Sequence, residues 1–176
     1  MKIYNTRVFA MSSAFALALA GGAAQAVGPA ADYVQGHYID TDQTDDGFGI
    51  AGSFLATPDV RLFGEFNSLD NIDTFRLGAG WVIPVDEQFG FEAGASYLDS
   101  DFDDGFGVHG MARFNATPEF TLAGRLEYQD VGDDDDIAVT VGADYRFMPE
   151  LSGFAQFETF DDGDNDAVKV GARYFF

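Results

Sequence analysis

The sequence predicts an all-β fold in residues 27–176: a closed, antiparallel, up-and-down transmembrane β-barrel of ten strands, with eight as the fallback count. Three observations predict it. Apolar and polar side chains alternate through ten segments of strand length, which gives each segment two unlike faces. Clusters of Gly, Pro and Asp separate these segments. All seven basic residues of 27–176 lie on the polar faces, and none interrupts an apolar stripe.

The first 26 residues have the features of a cleavable signal peptide. Lys2 and Arg7 give a basic start, and residues 8–20 form an apolar run that is too short for a spanning helix. Ala24-Gln25-Ala26 is an A-x-A cleavage site. We therefore expect an exported chain, and an exported chain without helical spans crosses a membrane only as a closed barrel.

Composition narrows the classes of function. The formal charge is −21, from 30 acidic and 9 basic residues, so nucleic acid is not expected as a partner. The 21 Gly and 19 Phe disfavour helices and favour strands. The chain has no Cys, so no disulfide framework is expected, and no cofactor is predicted.

Each segment is assigned as a strand because one of its sides is apolar. The segments and the apolar residues that mark them are, in chain order, 32–40 (Val34, Tyr38), 48–56 (Phe48, Ile50, Phe54), 60–68 (Val60, Leu62, Phe66), 74–83 (Phe75, Leu77, Trp81), 89–98 (Phe91, Ala93, Tyr97), 106–116 (Phe106, Val108, Phe114), 120–129 (Leu122, Leu126, Tyr128), 137–147 (Val139, Val141, Tyr145), 151–159 (Ala155, Phe157) and 167–176 (Val168, Val170, Tyr174). Their lengths suit tilted strands that cross a bilayer, and their number is even.

The connections alternate in length and composition. Four are tight turns, three of which contain Pro, and Thr57-Pro58-Asp59 is repeated as Thr117-Pro118-Glu119. The other five are longer and acidic, and are predicted at 41–47, 69–73, 99–105, 130–136 and 160–166. This asymmetry predicts tight periplasmic turns and acidic loops outside the cell.

The charged side chains of the strands share the face opposite the apolar stripe. In a soluble barrel that face would contact water, but in a narrow membrane barrel it is enclosed, and unlike charges should pair. From the loop positions we expect Glu92 opposite Arg113, Ser96 opposite His109 and Glu158 opposite Lys169. The predicted lumen charge network is Arg61, Glu65, Arg76, Glu92, His109, Arg113, Arg125, Glu127, Asp144, Arg146, Glu158, Lys169 and Arg173.

The signal peptide, the Thr-Pro turns and the closing Val-Lys-Val-Gly-Ala-Arg-Tyr-Phe-Phe resemble the small bacterial outer-membrane β-barrel superfamily, the OmpA/OmpX-like barrels. The resemblance implies an outer-membrane location, with lipid and lipopolysaccharide as surroundings. It also implies that Val170, Tyr174 and Phe176 form a C-terminal signal for the barrel-assembly machinery. Ten strands depart from the eight of that family, so its specific functions are not carried over.

Residues that could support chemistry are few. Ser96 and His109 could form a dyad for acyl transfer, but both are predicted to face the lumen, so we expect a lumen hydrogen bond and no enzyme. The acidic loops resemble calcium loops, yet Gly and Glu do not occupy the sixth and twelfth places of that pattern. They are a solvated acidic surface or a loose site for divalent cations, and the candidate ligands are Asp99, Asp101, Asp103, Asp162, Asp164 and Asp166.

Three functions follow from the predicted barrel. A structural or surface-interaction protein with a plugged lumen is favoured by the inward Phe63, Met111, Phe154 and Phe175. A narrow porin-like channel for water or small solutes is the alternative, and its basis is a set of small inward residues: Gly47, Gly49, Ala51, Gly78, Gly80, Gly94, Gly142 and Gly171. A soluble periplasmic barrel with an apolar ligand inside would require the two faces to be exchanged.

Overall fold

The computed structural model describes residues 32–42, 46–69, 72–132, 134–161 and 166–176. The predicted signal peptide, together with Asp162 and Asp164, lies outside the described residues. The described strands are β1 (Tyr33–Thr41), β2 (Gly47–Thr57), β3 (Val60–Leu69), β4 (Ile72–Pro84), β5 (Phe89–Ser100), β6 (Asp104–Asn115), β7 (Phe120–Val131), β8 (Asp134–Met148), β9 (Leu151–Phe160) and β10 (Ala167–Phe175).

These ten strands close into a barrel. Each strand pairs antiparallel with its neighbours in sequence, and β1 pairs with both β2 and β10, so no edge is left open. The ten-strand prediction is therefore confirmed, and the eight-strand fallback is not needed. Among the residues described, none forms a helix long and apolar enough to span a membrane.

The two faces of the barrel wall differ in the way the alternation predicts. On the outside, Phe48 is 71% exposed and Leu126 is 57% exposed, although both are large and apolar. On the inside, Arg61 is 5% exposed and Glu127 is 2% exposed, although both are charged. An apolar exterior around a polar interior is the arrangement of a transmembrane barrel and the reverse of a water-soluble one. The faces are thus not exchanged, as an apolar ligand in the lumen would require.

Three predicted loops are mostly strand. The ladder of β5 and β6 reaches Asp99 opposite Asp104, and that of β7 and β8 reaches Val131 opposite Asp134. Strand β4 likewise begins at Ile72, inside the predicted loop 69–73. Asp is unfavourable within strands, so the sequence predicts that these strands end where the Asp residues begin. The strand pairing nevertheless continues beyond the apolar stripe. A hydrogen-bonded hairpin tolerates charged residues where both of its faces contact water.

The predicted cross-strand pairs are wrong by two residues. Glu92 lies opposite Met111 rather than Arg113, Ser96 lies opposite Gly107, and Glu158 lies opposite Ala167. A shift of two keeps every side chain on its predicted face, because the side-chain period of a strand is two. For β5 and β6 the cause is a tight turn, in which the backbone N and the hydroxyl of Ser100 both donate to the carbonyl of Asp103, at 3.0 and 2.9 Å.

Candidate functional site: the lumen

The interior is described from its two ends. The loop end is where β1, β3, β5, β7 and β9 end, and the turn end is where β2, β4, β6, β8 and β10 end. The half of the lumen next to the loop end is called the loop half, and the other the turn half. Inward side chains from all ten strands fill both halves, since every second residue of a barrel strand faces the axis.

In the loop half, one lysine bridges two carboxylates on distant strands. The Nζ atom of Lys169 on β10 lies 2.9 Å from Oε1 of Glu65 on β3 and 3.3 Å from Oε2 of Glu158 on β9. The Nε2 atom of His37 lies 3.6 Å from the same Glu65 oxygen and 2.9 Å from Oδ1 of Asn67. The contacts of Glu65 with Lys169 and His37 connect strands that are not neighbours in the wall, so they brace the barrel across its interior, whereas Glu158 and Lys169 lie on the adjacent strands β9 and β10.

A second brace in the loop half is built on Glu127 of β7. Its Oε2 atom lies 2.9 Å from Nη2 of Arg125 and 3.4 Å from Nη1 of Arg76 on β4. Its Oε1 atom accepts a hydrogen bond of 3.1 Å from the hydroxyl of Ser96 on β5. A carboxylate at 2% exposure is stable only with such compensation, and here two guanidinium groups and one hydroxyl donor surround it.

Buried apolar side chains lie beyond these braces, towards the loop end. Ile39 is 2% exposed, Ala138 is 1% exposed and Ala167 is 9% exposed, and all three point inward. The polar His37 and Ser96 are buried to a similar degree. Buried apolar residues therefore lie next to the ion pairs in this half.

The turn half contains one buried ion pair whose contacts are as close as those of the braces. Arg61 of β3 donates from Nε and Nη2 to the two carboxylate oxygens of Glu92 on β5, at 2.6 and 2.5 Å, which is the bidentate geometry that a guanidinium and a carboxylate favour. Nε2 of His109 lies 3.2 Å from the same Glu92. Gly80 makes room for the carboxylate of Glu92, since a Cβ at position 80 would lie 2.5 Å from its Oε1 atom.

The second carboxylate of the turn half is Asp144. Its Oδ2 atom accepts from Nη1 of Arg173 at 3.2 Å and from the hydroxyl of Ser152 at 2.9 Å. Arg173 also donates from Nε and Nη2 to Gln35 Oε1, at 3.0 and 2.7 Å, and its guanidinium lies 4.2 Å from the ring centre of Tyr33. Arg173 is therefore held on several sides.

The two halves differ in charge. The loop half contains three basic side chains, Arg76, Arg125 and Lys169, and three acidic ones, Glu65, Glu127 and Glu158, with Asp136 further out at the strand end. The turn half contains four basic side chains and two acidic ones: Arg61, Arg113, Arg146, Arg173, Glu92 and Asp144. Arg146 stacks on the ring of Phe175, 4.1 Å from its centre, and its Nε has no hydrogen-bond partner.

A cavity of about 130 Å³ lies between the braces and reaches Arg113 and Thr121 near the turn end. One water molecule needs only roughly 10–15 Å³ of such space, so the cavity has room for several water molecules. Its charged lining residues are Arg61, Glu65, Arg76, Arg113, Arg125, Asp144, Glu158, Lys169 and Arg173.

The structure also places the residues considered for chemistry. Ser96 donates to Glu127, and His109 contacts Glu92, so these two side chains do not form a dyad. Within the part of the chain that the structure describes, no three His, Cys, Asp or Glu side chains are grouped as metal ligands. Among the loop candidates, Oδ2 of Asp101 accepts from the backbone N of Asp73 at 3.1 Å.

The proposed assembly signal faces outward for the most part. Val170 is 44% exposed and Tyr174 is 51% exposed, whereas Phe176 is half-buried, and its backbone N donates to the carbonyl of Asp32 at 3.2 Å. Sequence reasoning did not include Gln35 or Ser152 in the lumen network. Both are polar residues on the inward parity of their strands, so the alternation alone would have found them.

No protein-family model and no curated protein matches the sequence. Solved structures do match. The KdgM porin is 15% identical, with a TM-score of 0.59, and the match covers 82% of this chain and 99% of that one. The chain has the fold of an outer-membrane porin-like β-barrel.

Two further structures agree with this fold. The NanC porin is 12% identical over 82% of this chain and 99% of its own, with a TM-score of 0.57. The COG4313 outer membrane channel from Pseudomonas putida F1 is 12% identical over 89% of this chain and 99% of its own, with a TM-score of 0.53. At such low identity the likeness extends to the porin-like barrel and not to the residues inside it.

Proposed function

We propose that this chain is an integral protein of the bacterial outer membrane with a structural or surface-interaction role. Its apolar exterior contacts lipid and lipopolysaccharide, its tight turns lie in the periplasm, and its acidic loop end faces outward. The exposed Trp81, Tyr97, Phe106 and Tyr145 lie towards the strand ends, where aromatic residues meet the membrane interface. This environment supplies the apolar contacts that the exterior lacks in water.

The lumen of this barrel is closed at rest. The observation that carries this is the layer of cross-lumen braces on Lys169 and Glu127, beneath the buried Ile39 and Ala138. Breaking one such buried pair leaves an uncompensated charge and costs about 3–5 kcal/mol, so thermal opening is rare. A barrel closed in this way presents an outer surface but passes no solute.

A narrow porin-like channel is the second candidate. Its support is the cavity that extends from between the braces into the turn half, together with a fold shared by proteins named as porins and channels. One of these structures holds the KdgM porin in complex with disordered oligogalacturonate. In this barrel a path for solute would require the braces of the loop half to separate.

Planar-bilayer recording of the purified protein tests the closed lumen. We expect the wild type to give no steady conductance steps, and Lys169→Met to give discrete steps because it leaves Glu65 and Glu158 without their bridge. Arg146→Met removes a lumen cation that bridges no two carboxylates, and should stay silent. Steady steps from the wild type would reject the closed lumen in favour of the channel. Migration on a gel with and without boiling establishes beforehand that each variant is folded.

A further inference from the structure

The chain has two histidines, and each is buried against a carboxylate of the lumen. His37 of β1 is 4% exposed and lies beside Glu65, and His109 of β6 is 6% exposed and lies beside Glu92. Imidazole is the side chain that ordinarily gains or loses its charge between about pH 5 and 8. In that range each ring can change its charge while the surrounding carboxylates, arginines and lysine keep theirs.

The contacts of His37 decide which of its nitrogens takes up a proton. Nδ2 of Asn67 donates to Oγ1 of Thr74 at 3.4 Å, so Oδ1 of Asn67 faces the ring and accepts from Nε2 of His37 at 2.9 Å. In the neutral ring Nδ1 is therefore the nitrogen without a proton, and among the described residues it has no hydrogen-bond partner. A proton added at Nδ1 becomes a buried donor without an acceptor, which is unfavourable. The charged ring is therefore less stable in this position than the neutral one.

The ring occupies a space that two glycines leave open. A Cβ at Gly49 would overlap Nε2 of His37, and a Cβ at Gly171 would lie 2.8 Å from its Cβ. Phe154 packs edge to face against the ring, with the ring centres 6.2 Å apart. These three residues offer the ring no polar side chain. The carboxylate in contact with it is that of Glu65, whose Oε1 lies 3.6 Å from Nε2.

Lys169 holds the same oxygen of Glu65. Its Nζ atom lies 2.9 Å from Oε1 of Glu65 and 3.3 Å from Oε2 of Glu158. A charged ring would compete for the Glu65 oxygen and repel Lys169, which keeps Glu158 on the adjacent strand. Burial opposes a charge on the ring, whereas Glu65 favours it. The charged groups around His37 are Glu65 on β3, Arg76 beside it on β4, Glu158 on β9, and Lys169 and Arg173 on β10, while Gly49 and Ala51 of β2 are uncharged.

We propose that His37 is a proton-operated switch on the closure of the loop half: its protonation draws Glu65 away from Lys169 and lets the lumen open. The switch rests on the proposed closed lumen and adds the condition that releases it. His109 is the matched ring without this role. Its Nε2 lies 3.2 Å from Oε1 of Glu92, but both oxygens of that carboxylate are held by Arg61, and the braces of the loop half do not include it.

Planar-bilayer recording of the purified protein at about pH 7.5 and about pH 5 tests the switch. We expect silence at the higher pH and discrete steps at the lower, with an open probability at least about tenfold higher. Carbon-13 NMR of the histidine rings in detergent micelles should show that His37 becomes charged over the same range. A ring that stays neutral, or a barrel that is silent at both pH values, would overturn the switch and leave the closed lumen standing. Equal steps at both would reject the closed lumen as well.

Two variants separate His37 from the other groups that titrate. His37→Gln keeps an amide donor for Asn67 but takes up no proton, so it should stay silent at both pH values. His109→Gln is the matched control and should keep the rise of the wild type in acid. A rise in His37→Gln equal to that of the wild type would overturn the proposal, and so would loss of the rise in both variants. Gel migration with and without boiling establishes that each variant is folded. If His37→Gln does not fold, the wild-type recordings and the titration of the His37 ring still decide.

Discussion

The loop half and the turn half of the lumen are built by the same ten strands with the same alternation, yet they differ in charge and packing. In the loop half, three basic side chains meet three acidic ones in contacts centred on Lys169 and Glu127, and the apolar Ile39 and Ala138 are buried beyond them. The turn half has twice as many cations as carboxylates, and the cavity extends into it from between the braces. Alternation thus decides which side chains enter the lumen, and the order of residues along each strand decides what each half can do.

The largest expected difference between the halves concerns their carboxylates. Glu127→Gln should lower the free energy of unfolding by about 3–5 kcal/mol, because it leaves Arg76 and Arg125 buried beside an amide. Asp144→Asn is the matched change in the turn half, where the carboxylate is 14% exposed and Arg173 keeps Gln35 as a partner. Its loss should be about 1–2 kcal/mol.

Urea unfolding in lipid vesicles measures both variants, and the order of the two losses is what matters. If Asp144→Asn cost as much as Glu127→Gln, the turn half would be braced as tightly as the loop half. A near-neutral Glu127→Gln would mean that water reaches the loop half, and the closed lumen would be wrong.

Packing should give a smaller difference in stability between the two halves. A Cβ at Gly107 in the loop half would lie 2.5 Å from Oε1 of Glu127 and 3.1 Å from Oγ of Ser96, and that carboxylate is held by two arginines. Gly107→Ala should therefore cost about 1–3 kcal/mol through overpacking. At Gly142 in the turn half, the nearest atom would be Cγ of Gln156, 2.8 Å away, and that side chain lines the cavity.

We expect Gly142→Ala to cost less than about 1 kcal/mol, because Gln156 can turn into the cavity. The same urea titration compares the two alanines. Outward-facing Gly110→Ala is the control, since a Cβ there would have no atom within 4 Å, and it should leave stability unchanged. Equal losses at Gly107 and Gly142 would show that the cavity offers no room for relaxation.

The architecture was predictable from sequence because lipid imposes a strict rule on one face of every strand. A cation on the apolar stripe would be costly at membrane depth, so the seven basic residues mark the inner face without any knowledge of pairing. Strand ends were less predictable, since Asp99 and Asp130 read as loop residues yet lie in paired strands.

The partners inside the lumen could not be predicted. Register between β5 and β6 depends on the turn at Ser100, which composition does not reveal. The contact of Lys169 with Glu65 joins residues 104 positions apart on strands that are not neighbours. Such a contact depends on the tilt and stagger of the closed barrel. The alternation of side chains therefore predicts which residues face the lumen, whereas the contacts between them depend on how the barrel closes.

The smallest expected effect tests whether the surplus cations of the turn half contribute to stability at all. Arg146 stacks on Phe175, which is worth about 0.5–1 kcal/mol at a partly exposed site, but it adds to the positive excess of that half. Arg146→Gln loses the stacking and relieves the repulsion, so the free energy of unfolding should change by less than about 1 kcal/mol. Urea unfolding at low and at high salt measures it. Because salt screens repulsion, a small gain in stability at low salt should shrink at high salt. A loss of several kcal/mol at both salt concentrations would mean that Arg146 braces the barrel, and the surplus cations of the turn half would then contribute to stability as the braces of the loop half do.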